Sequence, residues 1–181
     1  GKSELKNFTK LEILNQPVFF HGDAFFAGFY LNEIVLRLCP LEEAMPQTFE
    51  QYQLTLLQLQ QLASHKQASL FLRQILRQFE HVLLQELGYA IDFSVDASQQ
   101  DIQVNQHYQF QLNDGFLPVS QASRSTLGGV LIASMQSYED GQDFSHEQLQ
   151  LLGKLYRQMI SSLLGDRPLK SRQLWIQSTQ T

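Results

Sequence analysis

The stretch from Ala68 to Tyr89, ASLFLRQILRQFEHVLLQELGY, constrains the fold most. Its Leu72, Ile75, Leu76, Phe79, Val82, Leu83 and Leu87 recur at intervals that place them along one side of a helix. Gly88 suits the left-handed position just past a helix end. A side this apolar must be covered, so the remainder of the chain has to supply partners for it.

Helical partners are easy to find. AFFAGFYLNEIVLRL, up to Leu38, reads as a helix with Asp23 as N-cap and Pro40 as stop. Apolar residues cover most of its circumference, which predicts burial at the centre of a bundle. A second helix is predicted from about Thr48 to Leu62, with Leu54, Leu57, Leu59 and Leu62 as its apolar surface and its glutamines mainly on the wet side. Ser145-His146-Glu147-Gln148 is a capping-box pattern that opens a helix to about Leu164, closed by Gly165, and a short helix follows Pro168. The first three helices, joined by short connections, favour an antiparallel bundle.

Residues 90–120 change character. IDFSV, IQVNQHYQF and GFLPV read as short strands, and Asn113-Asp114-Gly115 between the last two is the clearest hairpin signal in the chain. Residues 126–137 suit a short helix despite Gly128 and Gly129. At the other end, residues 3–14 alternate loosely with Leu5, Leu11 and Ile13 on one side and read as a strand ended by Pro17. That strand either pairs with the later ones or is the remnant of a domain further upstream. The expected fold is mainly α: a helical bundle with a small β-hairpin insert and a remnant N-terminal strand.

Charge and cysteine content narrow the function. A nucleic-acid binder ordinarily carries excess Lys and Arg, because phosphate neutralisation supplies most of its affinity. This chain of 181 residues has a formal net charge of −5, so any contact with DNA needs a local basic surface or another domain. Lys154, Arg157, Arg167, Lys170 and Arg172 crowd one region, with Asp166 the only acid between Arg157 and Arg172. They suit a phosphate or partner surface, or they complement the dipole of a helix C-terminus. The single Cys39 excludes an internal disulfide and a cysteine-based zinc site and fits a reducing cytosol. Apolar stretches fall short of a membrane span, and the polar, basic start is not a signal peptide.

Enzyme signatures are missing from the sequence: no phosphate loop, no dinucleotide fingerprint and no nucleophile elbow. None of the five histidines has metal-ligand company; His146-Glu147 lacks the second His of a zinc-protease helix. Glu33 and Glu80 lie within helices where a carboxylate can act as a base, although an ion pair or helix-surface charge is the expected role. No catalytic residue, metal or cofactor is therefore expected. Arg73 and Arg77, four residues apart, share one helix face beside an apolar surface. They either hold a carboxylate at an apolar groove or pair with Glu80 or Glu86.

AGFYLNEIVLRL, LRQFEHVLLQELGYAIDF and RPLKSRQLW, in that order and at about that spacing, resemble the motifs of the bacterial recombination mediator RecO family. The resemblance implies that residues 1–16 are the remnant of the last strand of an oligonucleotide-binding barrel (OB-fold). Residues 17–181 are then the family's C-terminal helical domain, with a β insert at about 90–120. Some members carry a four-cysteine zinc site in that insert; this chain has no cysteine there, so the hairpin is expected to replace it. The implied role is recombinational repair without turnover, in the bacterial cytoplasm and associated with the nucleoid. Implied partners are the acidic, Phe-terminated tail of single-strand-binding protein (SSB), RecR, and DNA, single- and double-stranded, mainly through the OB-fold. Loading of RecA and annealing of strands follow from these. By the same resemblance Arg77 is the basic lip for the SSB tail. Gln78 replaces a second Arg of the motif, Arg73 stands in for it, and Phe79 lines or backs the pocket. Lys170 and Arg172, with Lys154 and Arg157, are candidates for DNA or partner contacts.

Overall fold

A computed structural model describes residues 18–136, 143–165 and 167–178. Its elements are α1 (Asp23–Leu38), α2 (Pro46–Gln60), a 3-10 turn (Leu62–Ser64), α3 (Ala68–Glu86), β1 (His107–Gln111), β2 (Gly115–Val119), β3 (Leu127–Gly128), α4 (Gly129–Ala133), α5 (His146–Leu164) and α6 (Lys170–Ser178). Among the described residues the fold is mainly α with a small antiparallel sheet of order β2-β1-β3, as expected. The strand expected at residues 3–14 lies outside the described residues.

The core is built where α3 meets α5. Leu72, Ile75, Leu76, Phe79, Leu83 and Leu84 are buried on α3, and Leu149, Leu151, Leu152, Leu155, Met159 and Ile160 on α5. Two polar side chains within this interface, His81 and Gln74, are paired. The His81 ring lies 2.8 Å from the Tyr156 hydroxyl, and the Gln74 amide exchanges hydrogen bonds with the backbone of Phe144. The predicted capping box is formed at Ser145 and Gln148, and Gly88 ends α3 at φ +84°.

Local chemistry explains the departures elsewhere. Asp23 is not the N-cap of α1; Gly22 holds that position, and the Asp23 carboxylate instead accepts from the Trp175 indole at 3.2 Å. Nor is α1 buried all round. Ala24, Ala27, Gly28, Leu31 and Ile34 form its buried side, while Phe25, Phe29 and Leu36 are exposed because no described element covers them. Helix α2 starts two residues earlier than expected, with Pro46 in its first turn, and stops at Gln60. Its buried side is Thr48, Thr55 and Leu59, so Leu54 and Leu57 face outward.

The β insert keeps its hairpin and loses a strand. Phe110 pairs with Phe116 and Gln111 with Gly115, whose φ of +80° is the left-handed turn geometry anticipated at Asp114-Gly115. IDFSV forms no strand beyond a single bridge, Val95 to Asp101. The Asp92 carboxylate accepts the Ser94 N–H and that of Asp96 accepts the Ser98 and Gln100 N–H groups, so local turns win over a ladder. IQVN likewise stays irregular, and β1 begins only at His107. The third strand is Leu127–Gly128, which shortens the helix expected over 126–137. Residue 129 must be glycine: a Cβ there would lie 2.0 Å from the Gln103 carbonyl oxygen.

Candidate functional site

Helices α1, α3, α5 and α6 enclose a cavity of about 240 Å³. From α3 come Leu76, Arg77 and Glu80, and from α1 comes Tyr30. Across from them stand Arg157 and Ile160 of α5, Leu169 just before α6, and Arg172 and Trp175 of α6. Three guanidiniums thus border an apolar floor.

A polar triad centred on buried Glu80 forms one wall. Glu80 is 1% exposed; it accepts hydrogen bonds from the Tyr30 hydroxyl and from Arg77, whose nitrogen lies 2.6 Å away. Its second oxygen has no hydrogen-bond partner. Burial pushes the Glu80 carboxyl above its usual value, against the pull of Arg77, Tyr30 and Arg157. Burial and then the Glu80 charge push the Tyr30 phenol well above its ordinary range, so it stays a donor. Burial, then the charges of Arg172 and Arg77, lower the basicity of Arg157.

The opposite wall is α6, secured by α1. The Glu33 carboxylate accepts the backbone N–H groups of Lys170 at 2.9 Å and Ser171 at 2.8 Å, and the Ser171 hydroxyl at 2.6 Å. Burial alone would raise its pKa, but these bonds and Arg37 outweigh it and hold Glu33 below the usual carboxylate value. Arg37 donates to the carbonyls of Leu164, Arg167 and Pro168. Trp175 stacks on Phe26 with ring centroids 6.1 Å apart. Glu33 is therefore an N-cap for α6 contributed by another helix.

The residues singled out from sequence fall into two groups. Arg77, Arg157 and Arg172 meet at the cavity. The others do not: Arg73 is exposed and bonds back to the Ser69 carbonyl at 3.4 Å, and Phe79 is fully buried with its edge against Tyr52. Lys154 is exposed and donates to the Ser125 carbonyl at 2.8 Å; Lys170 is exposed beside Arg37 and Leu174. Of the two acids considered for Arg77, Glu80 is the partner; Glu86 instead caps α2 through the N–H groups of Gln47 and Thr48. Tyr30 and Trp175 escaped the sequence reading as site residues, although both sit inside the quoted motifs. Among the described residues no helix is long and apolar enough to cross a membrane, and no group of three or more His, Cys, Asp or Glu is placed to hold a metal ion.

A helical domain with a small β insert gathers three arginines around an apolar cavity, side chains whose chemistry suits an anionic group. The family model described as Recombination protein O C terminal matches residues 20–173. A DNA repair protein RecO of Pseudoalteromonas translucida is 36% identical over 179 residues, covering 98% of this chain and 73% of that protein. Those of Pseudomonas putida and Cellvibrio japonicus are each 37% identical, over 97% of this chain and 73% and 71% of their own lengths. The chain belongs to the RecO family of DNA repair proteins. The three segments that carried the resemblance are those that meet here: Tyr30 and Glu33 from the first, Arg77 and Glu80 from the second, Ser171 and Arg172 from the third.

Proposed function

We propose that this chain serves recombinational DNA repair as a docking platform without turnover. Its cavity takes the acidic, Phe-terminated tail of SSB, and with RecR it supports strand annealing and RecA loading. The observation that carries this reading is the meeting of Arg77, Arg157 and Arg172 at an apolar cavity in a chain of net charge −5. An aromatic ring fits the space, since a cavity of about 150 Å³ accommodates benzene, and acidic residues upstream of the ring meet the guanidiniums. In this reading DNA is held mainly by the OB-fold that the resemblance implies, with residues 1–16 as its last strand. Lys154 and Lys170, outside the cavity, are left for DNA or partner contact.

The test is fluorescence anisotropy of a labelled SSB-tail peptide titrated with the protein. Saturable binding should weaken from low to moderate salt, as screening between charges strengthens. It should vanish when the terminal Phe is removed. No binding at tens of micromolar would overturn the proposal. That outcome would favour a second reading, a docking domain for RecR with no working tail site, for which the exposed Phe25, Phe29 and Leu36 of α1 speak.

A further inference from the structure

Little apolar surface holds α6 to the molecule. Of its nine residues only Ser171 is buried, and none belongs to the buried apolar core, against which Trp175 packs half-buried. Its anchors lie on α1. Glu33 accepts from Lys170 and Ser171, and Asp23 and Phe26 meet Trp175 one turn further on, so α6 runs antiparallel along α1. Arg37 pins the connection ahead of α6 through the Leu164, Arg167 and Pro168 carbonyls. A helix of nine residues does not persist alone in water, so docking and folding of α6 are one event.

Docking also brings like charges together. It sets Arg172 beside Arg77 and Arg157, and the one carboxylate lining that space, Glu80, is already paired with Arg77 at 2.6 Å. Arg157 and Arg172 make no ion pair or hydrogen bond among the described residues. Burial and then the Arg172 charge lower the basicity of Arg157, so the repulsion is felt across the gap. The bonds from Glu33 to α6 run instead to neutral N–H and O–H groups. Salt therefore screens the repulsion and hardly touches the cap.

We infer that α6 is a spring-loaded strap: Glu33 latches it to α1, Arg172 pushes it off against Arg77 and Arg157, and it opens as a unit while α1, α3 and α5 stay folded. Those helices keep their shared core when α6 leaves, since Leu31, Ile34, Phe79, Leu83 and Leu155 are buried without it. Opening carries Arg172 and Trp175 away and leaves Tyr30, Arg77, Glu80 and Arg157 in place. The cavity thus alternates between a walled and an open form, whatever it receives.

The test is amide hydrogen exchange of the whole chain, followed residue by residue through a series of low urea concentrations. The hydrogen-bonded amides of α6 should exchange faster than those of Phe79 and Leu83 in α3. They should also be nearly indifferent to urea, because little surface opens, whereas the α3 amides depend on it steeply. Glu33→Gln should speed α6 exchange about tenfold, the scale of a lost charged cap. Arg172→Gln should act in the opposite direction and slow it about twofold, the scale of an exposed like-charge contact. Moderate salt should slow α6 exchange in the unaltered chain and not in Arg172→Gln. Amides of α6 that follow the urea dependence of α3 would overturn the strap, since α6 would then leave only with the whole fold. Unchanged α6 exchange in Glu33→Gln would remove the latch. Faster exchange in Arg172→Gln would show that Arg172 holds α6 down, and the spring would be gone.

Discussion

Arg77 and Glu80 illustrate how one residue's role depends on what its neighbour cannot do without. Glu80 is buried, so its charge persists only beside a cation and the Tyr30 hydroxyl. Arg77→Ala should therefore cost about 3 kcal/mol in urea unfolding at pH 8. The cost should shrink as pH falls into the raised range in which Glu80 takes up its proton. The unaltered chain has the same sign on a smaller scale. A carboxyl raised in the folded state still holds its proton where the unfolded chain, near 4.5, has released it. Stability contributed by Glu80 is thus complete at low pH and lost as pH rises from about 4.5 through the raised value. Glu80→Gln should flatten that slope. Equal losses for Arg77→Ala at pH 8 and within that range would show that Glu80 does not need its cation. Sequence spacing brought Arg77 and Glu80 onto one helix and left two partners open; it carried no information on burial, which decided between them.

At the scale of elements, two helices are capped by carboxylates from distant ones, Glu86 for α2 and Glu33 for α6. Glu33→Ala should lower stability by about 2 kcal/mol, near the upper range for loss of a cap. It should also weaken tail-peptide binding, because Arg172 and Trp175 ride on α6. Unchanged peptide affinity would show that α6 stays in place without this cap. Since Glu33 is held below its usual value, its contribution is present above the ordinary carboxylate pKa and lost as pH falls through the lowered one, opposite to Glu80. These caps also explain what the sequence made legible. Helices α3 and α5 and the β1–β2 hairpin carry their signals within a few residues: a periodic apolar side, a capping box, an Asp-Gly turn. The α2 start, capped at Thr48 by Glu86 from 38 residues away, and the burial of α1 depend on distant partners, and both were misjudged.

For the whole molecule, Phe93, Tyr108, Phe110 and Phe116 of the β insert join the buried residues of α3 and α5 in one continuous core. Phe116→Ala should remove about 3–5 kcal/mol. Unfolding followed by aromatic and by backbone circular dichroism should shift together, as one cooperative transition. Separate midpoints would mean that the insert unfolds on its own. The cavity is the least legible feature at this scale. Its arginines lie on three helices, and only packing puts Arg77 beside Arg157 and Arg172 while leaving Arg73 in solvent.

The grip of Glu33 on Ser171 spans 138 residues, which has a consequence for synthesis. At about 5–20 residues per second, a ribosome needs on the order of ten seconds to make that interval. Throughout it, Glu33 and Arg37 of α1 have only each other for a partner, and the cavity has no far wall. A nascent chain, however well its first helices have packed, cannot complete the cavity; its far wall arrives late, when α6 docks.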